Sequence, residues 1–348
     1  MREFQLIDWI AQRRQEVPEG LLTGIGDDCA VFDPSFARRL LVTTDTLVED
    51  VHFRRRWSSP AFLGHKALAV SLSDLGAMGA RPHAALLSLC LPQDTGERWA
   101  HCLLEGLLQA CSHWHCPLIG GNLAAASQVQ ITVTAWGYLE KGEAVLRSGG
   151  RAGEGLAVAG HLGLARRGLL SLRRHDPDLS AVEDGGELRQ GKGDPRRGRL
   201  WEALLRPQPP LQAGCWLQSR ELARSMIDLS DGLCADLGHL LRSSRLAAVL
   251  EERALNDFLR AQEPEEAADE TEPRLQAALK GGEDYALLFS LDPQRVLELE
   301  QCPLPRGQHC GLIGHLEQGP PAIFLRDLRG KRRPLKISGY QHFGDGNA

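Results

Sequence analysis

The chain has 348 residues, enough for two domains of ordinary size, with 43% apolar and 24% charged residues, a balance that excludes wholesale disorder. A formal charge of −5 leaves no electrostatic footprint for following a nucleic-acid backbone. No run approaches the roughly 18 apolar residues of a membrane span, and the nine cysteines, irregularly spaced and mostly within apolar segments, read as reduced thiols of a cytoplasmic protein.

In chain order, MREFQLIDWIAQRRQ reads as an amphipathic helix with Phe4, Ile7 and Ile10 on one side, without the apolar core of a signal peptide. GIGDDCAVF follows, setting Asp27 and Asp28 behind glycines; Cys29 within it reads as a small core residue. The β-branched run at residues 40–47 predicts a strand, as do Ala84 to Leu91 and Val129 to Leu139. Between them, Pro60 to Met78 opens on Ser-Ser-Pro, a cap with proline in the first turn, and Thr95 to Trp114 has apolar residues at helical spacing. Beyond Glu140 the pattern predicts strands at Leu156 to Ala159, Ala247 to Leu250 and Tyr285 to Ser290, and a helix at Cys234 to Arg242. Arg173 to Arg199 is polar and glycine-rich, and is expected to be an exposed or partly disordered loop. The acidic run Glu263 to Glu272 and the basic run Arg54 to Arg56 read as solvated charge.

Acidic residues recur at strand ends and turns: Asp27 and Asp28, Asp45 in TTDT, Asp74 in SLSDLGAMGA, Asp228 and Asp231 in IDLSDG, and Glu283 with Asp284 in GGEDY. Singly, each fits a cap or a turn. Gathered on one sheet rim, such carboxylates would raise one another's pKa unless a hard cation held them, and magnesium takes oxygen ligands and bridges them to phosphate. Glycines at Gly24, Gly120, Gly121 and Gly149 let backbone approach a phosphate, and Arg147 can pair with one. No Walker motif or protein-kinase signature is present. The His and Cys residues between His101 and Cys116 match no zinc-finger spacing, and Ser230 lacks the context of a hydrolase nucleophile.

The ordered set GIGDDCAVF, TTDTLVEDVHF, HKALAVSLSDLGAMGARP, LIGGN, RSGGRAGEG, MIDLSDGLCADLGHLL, GGEDYALLF and GYQHF resembles the thiamine-monophosphate kinase family over nearly the whole chain. The resemblance implies an α/β (α+β), two-domain aminoimidazole ribonucleotide synthetase-like fold. Residues 1–140 would form an N-terminal α/β domain that binds metal and ATP and pairs its sheet with a second copy into a dimer barrel. Residues 141–348 would complete the ATP and substrate site, with a loop insert at 173–199. The implied reaction is direct phosphoryl transfer from ATP to thiamine monophosphate in a cytoplasmic homodimer, assisted by several magnesium ions and without a covalent intermediate.

By motif, Asp28, Thr43, Thr44, Asp45, Asp74, Asp228 and Asp231 resemble the magnesium ligands, with Asp27 as a further candidate. Gly121, Asn122, Arg147 and Ser230 resemble ATP contacts, and His52, Glu283 and Tyr340 contacts to thiamine monophosphate, Glu283 suiting the cationic thiazolium. Where the family has G-G-D-T, this chain has Gly120-Gly121-Asn122-Leu123, an amide in place of a metal-binding carboxylate. The alternative implied by Asn122 is a nucleotide-binding relative with weak or no turnover and a regulatory role.

Overall fold

The computed structural model describes residues 9, 12–13, 16–23, 31–32, 35, 39–181, 188, 193–263, 272–337 and 339. The expected N-terminal helix therefore falls almost entirely outside the described residues, as do Asp27, Asp28, Cys29 and Tyr340. The strands and helices run β1 (Leu21–Thr23), β2 (Val31–Phe32), β3 (Arg39–Val48), α1 (Pro60–Ala77), β4 (Arg81–Leu91), α2 (Glu97–His113), β5 (Leu118–Ala125) and β6 (Gln130–Leu139). They continue through β7 (Gly155–Gly160), α3 (Leu164–His175), α4 (Pro195–Leu205), α5 (Leu211–Ser219), β8 (Ser225–Asp228), α6 (Leu233–Ser244), β9 (Ala247–Glu251), α7 (Glu252–Gln262) and α8 (Arg274–Lys280). The last described elements are β10 (Leu287–Leu291), a 3-10 segment (Pro293–Gln301), β11 (His309–Glu317), β12 (Ile323–Arg326) and β13 (Arg332–Leu335).

The first sheet has the order β3-β6-β4-β5, with only the β4–β5 pair parallel. Strand β3 alternates as half-buried strands do. Leu47 faces the core, whereas Leu40 and Val42 remain 55% and 64% exposed on the open face. Helices α1 and α2 cover the other face, packing Leu68, Leu72, Leu103 and Leu104 against Leu89 and Ile131. Helix α1 starts where the sequence predicts: Ser59 accepts the Phe62 amide at 3.4 Å and Pro60 occupies the first turn. Strand β5 was not expected, because its LIGGNLAA sequence contains two glycines and little β-branched character.

The second sheet has seven strands in the order β13-β12-β9-β11-β7-β10-β8. Strand β7 is buried along its length, with one apolar cluster on each side. The β10 prediction shifts: Tyr285 has a left-handed backbone, φ +48°, and the strand begins at Leu287.

The expected loop at Arg173 to Arg199 is partly helical. Helix α3 runs to His175, and α4 begins at Pro195, capped by Asp194. Trp201 of α4 is 1% exposed and donates its indole N–H to Ser171 at 3.1 Å, while Asp176 receives Arg56 at 2.7 Å and the Trp57 indole at 2.8 Å. Arg54 lies over the Trp57 ring and Arg55 pairs with Glu49 at 2.7 Å, while Arg54 and Arg56 stay exposed, so the run is solvated as expected and also has partners. The ends of the acidic run are paired too, Glu263 with Arg167 and Glu272 with Arg166. Arg56 and the two ends of the acidic run find partners far along the chain, which linear reading does not reveal.

Candidate functional site

The site lies where the C-terminal turn of α1 meets the end of β8 and the outer strand β3. Strand alternation points Thr43 and Asp45 toward α1 and Thr44 to the opposite face. Thr43 donates its hydroxyl to Asp74 of α1. Thr44 instead shares a 3.0 Å hydrogen bond with the hydroxyl of Thr134, on the open face.

Three carboxylates feel one another here. Asp228, at the end of β8, is 4% exposed and accepts the Ser73 hydroxyl at 2.9 Å. Burial first, and then the charge of Asp74, push its pKa up to about 8. Burial and the Asp74 charge likewise raise Asp45 to about 6, and its Oδ2 is buried without a hydrogen-bond partner. Burial raises Asp74 as well, opposed by the Thr43 hydrogen bond and the Arg147 charge. A buried carboxylate oxygen without a donor costs free energy that a cation would recover.

Asp231 and Ser230 sit in the turn after β8. Its geometry is held by Asp236 of α6, which accepts the amides of Asp231 at 3.1 Å and Gly232 at 2.9 Å. Burial raises Asp236 to about 7. Sequence reading passed over Asp236, although an acidic side chain in the first turn of a helix that reaches back to the preceding amides is a recognisable capping signal.

Two cavities meet at the carboxylates. The smaller, about 440 Å³, is lined by Thr43, Asp74, Arg147, Ser148 and Asp228. The larger, about 1250 Å³, shares Asp74 and Asp228 and adds Asp45, His52, Lys66, Ser230, Asp231 and Glu283. His52 accepts the Val48 amide on Nδ1 at 3.0 Å. Lys66, which sequence reading missed inside the apolar HKALAV run, places its ammonium 2.7 Å from Glu283.

Gly121 and Asn122 do not join this group within the chain. Asp45, Val133, Leu87 and Gly121 form one cross-strand row, so β5 lies three strand spacings from β3, roughly 14 Å. At Gly121 φ is +157° and a Cβ would lie 1.9 Å from the Leu87 carbonyl oxygen, so the close pairing with β4 demands glycine. Among the described residues, no three His, Cys, Asp or Glu side chains form a ready metal cage, and this includes the His and Cys residues of α2 and the turn after it. The Asp45, Asp74 and Asp228 carboxylates with the Thr43 hydroxyl still form an all-oxygen donor set suited to a hard cation. These oxygen donors, with the unpartnered Asp45 Oδ2 among them, fit a hard cation such as magnesium and do not fit a soft metal.

This fold and carboxylate seam define an aminoimidazole ribonucleotide synthetase-like protein, and residues 26–139 match the family described as AIR synthase related protein, N-terminal domain. Thiamine-monophosphate kinase from Haemophilus influenzae is 34% identical, the match covering 99% of this chain and 98% of the relative. The crystal structure of thiamine-monophosphate kinase from Stenotrophomonas maltophilia superposes with a TM-score of 0.74 at 30% identity, covering 92% of this chain and 94% of that one. AaThiL complexed with AMPPCP and TMP gives 0.70 at 29% identity, with 99% of both chains covered. The chain belongs to the thiamine-monophosphate kinase family. Among the described residues no helix is long and apolar enough to cross a membrane.

Proposed function

We propose that the protein transfers the γ-phosphate of ATP to the phosphate of thiamine monophosphate, giving thiamine diphosphate by direct in-line attack. The observation that carries this reading is the junction of two cavities at the shared pair Asp74 and Asp228. Donor and acceptor phosphates entering from the two sides would meet there, and phosphoryl transfer between anions needs alignment and charge neutralisation more than a side-chain nucleophile. The names of the relatives, and the pair of ligands bound by AaThiL, support the same substrates.

In this reading Arg147 binds ATP phosphate from the smaller cavity, with Gly121, Asn122 and Ser230 as further contacts. His52, Glu283 and Tyr340 hold the acceptor in the larger one. Asp45, Asp74, Asp228, Thr43 and Asp231, with Asp28 and Asp27 in the glycine-rich segment, would hold magnesium, which when bound supplies positive charge against the transferring phosphoryl oxygens. Thr44 would join them only by leaving Thr134. No strong general base is required, because the acceptor phosphate is largely ionised at neutral pH.

Residues 1–140 and 141–348 act as two domains closing on this junction, and the protein works as a homodimer. The exposed Leu40 and Val42 on the open sheet face support pairing with a second copy. In a dimer joining the sheets through their edge strands, Asn122 on β5 would face β3 of the other protomer, which gives it a route to the carboxylates that a single chain lacks.

The test is conversion of ATP and thiamine monophosphate across a magnesium titration. Thiamine diphosphate and ADP are expected in equal amounts; binding of both ligands without product at any magnesium level would overturn the reading and favour the regulatory alternative. In the same assay Asn122→Asp is expected to lower the magnesium concentration at half-maximal rate by about tenfold, since an added ligand charge raises affinity for hard cations.

A further inference from the structure

We propose that Lys66 is a positioning residue for the acceptor substrate: it locks Glu283 across the junction of the two sheets, leaving the second carboxylate oxygen of Glu283 to accept an N–H from the substrate's heterocycle. The inference rests on the phosphotransfer reading above and names what one side of that site recognises.

Lys66, Val70 and Asp74 lie at i, i+4 and i+8 on α1 and all line the larger cavity. One helical stripe therefore sets the Lys66 Cα about 12 Å along the axis from that of Asp74, whose carboxylate lies where phosphates would meet. Lys66 is paired with Glu283 rather than with a carboxylate of the seam. Its side chain is 3% exposed, and its ammonium is held by Glu283 Oε1 at 2.7 Å, a contact spanning 217 residues of sequence. A lysine is rarely buried this deeply without a partner to keep it charged.

The segment carrying Glu283 is built to present that partner. Glu283 and Tyr285 both have left-handed backbones, φ +63° and +48°, an unfavourable conformation for non-glycine residues that persists only where the surroundings impose it. They are imposed here by the Glu283 amide on the Ser230 carbonyl and the Tyr285 amide on the Leu229 carbonyl, both at 2.8 Å. Asp284 between them accepts the Gly163 amide at 2.7 Å and the Ala165 amide at 3.3 Å at the start of α3. Lys66 ties this loop to α1, whose apolar cluster Tyr285 also joins, and the Glu283 side chain remains 27% exposed toward the cavity.

Charge decides what such a carboxylate can recognise. With Lys66 beside it the pair is neutral overall, so in this proposal Glu283 acts less as a counter-ion to the cationic thiazolium than as a hydrogen-bond acceptor. What it offers is a fixed hydrogen-bond acceptor, suited to an exocyclic amine such as that of the aminopyrimidine ring.

Kinetics and calorimetric binding are compared for wild type, Lys66→Met, Lys66→Arg and the double variant Lys66→Met with Glu283→Gln, using thiamine monophosphate and its 4-oxo analogue, which lacks the amine. Wild type is expected to disfavour the analogue by about a hundredfold. Lys66→Met should raise KM and Kd for thiamine monophosphate at least about tenfold, leave KM for ATP within about twofold, and abolish most of the discrimination. Lys66→Arg should recover part of it. Lys66→Met leaves the half-buried Glu283 carboxylate unpaired and can fail to fold; the double variant removes both charges, should melt near wild type, and should show the same loss of discrimination rather than a larger, additive one. Unchanged discrimination in the double variant, or equal losses for ATP and acceptor, would overturn the proposal. A wild type that binds both ligands, discriminates by amine in the binding assay and makes no product would sink the phosphotransfer reading alone.

Discussion

Asp228→Asn should remove roughly a thousandfold or more of kcat and at the same time make the metal-free protein harder to melt. The loss follows from its place between the two cavities, where taking away one carboxylate weakens cation binding and with it a stabilisation of developing charge worth about 4 kcal/mol or more. The gain follows from its burial. In the metal-free chain Asp228 is pushed to about 8 and Asp45 to about 6, against about 3.9 for an aspartate in the unfolded chain. Between those limits the folded state holds more protons than the unfolded one, so stability falls as pH rises from about 4 to about 8 and levels off above. An isosteric amide still accepts the Ser73 hydroxyl but carries no charge to repel Asp74. Its melting temperature should therefore exceed that of wild type at pH 8, and the two should converge near pH 4. Magnesium should raise the melting temperature of wild type at pH 8 much more than that of the variant. Identical melting curves at pH 8 without metal would refute the electrostatic account whatever the activity did.

Gly106→Ala should destabilise the protein by about 3 kcal/mol and lower its melting temperature by several degrees, although alanine is the better helix former. Taken alone, replacing a helical glycine by alanine stabilises by about 1 kcal/mol. Here α1 and α2 touch backbone to backbone: a Cβ on Gly106 would lie 2.0 Å from the Ala61 carbonyl oxygen, and one on Gly64 would lie 2.1 Å from that of Leu103. No flexible side chain can yield at either contact, so the helices must separate, and overpacking outweighs propensity. Because α1 carries both Lys66 and Asp74, activity should fall with stability. A circular-dichroism melt against wild type checks the first and the kinase assay the second; an unchanged or higher melting temperature would show that the crossing relaxes more easily than the backbone contacts imply.

Much of the frame was legible in the chain itself. Alternation in LLVTTDTL marked β3, Ser59 and Pro60 marked the start of α1, and the apolar run after Gly155 marked β7. These signals are local: a strand's alternation, a helix cap or a buried apolar run is written within a few residues, and so is each motif of the family resemblance. The recurring aspartates also named Asp45, Asp74 and Asp228 as members of one set, and the structure places all three within electrostatic reach of each other.

What the tertiary structure alone decided concerns pairings across long stretches of sequence. Strand β5 exists because β4 lends it a parallel partner, which glycine-rich LIGGNLAA does not announce. The two described ends of the 173–199 segment are held because Trp201 finds Ser171 and Asp176 finds Arg56 and Trp57. Asn122 shares a motif with Gly121 yet lies three strands from Asp45, while Lys66, one apolar-flanked lysine in HKALAV, meets Glu283 across 217 residues. A sequence fixes which residue types are available and what local shapes they prefer. Burial and charge pairing arise only when topology brings distant segments together, so the roles of Lys66, Asp236 and the left-handed GGEDY turn became readable in three dimensions.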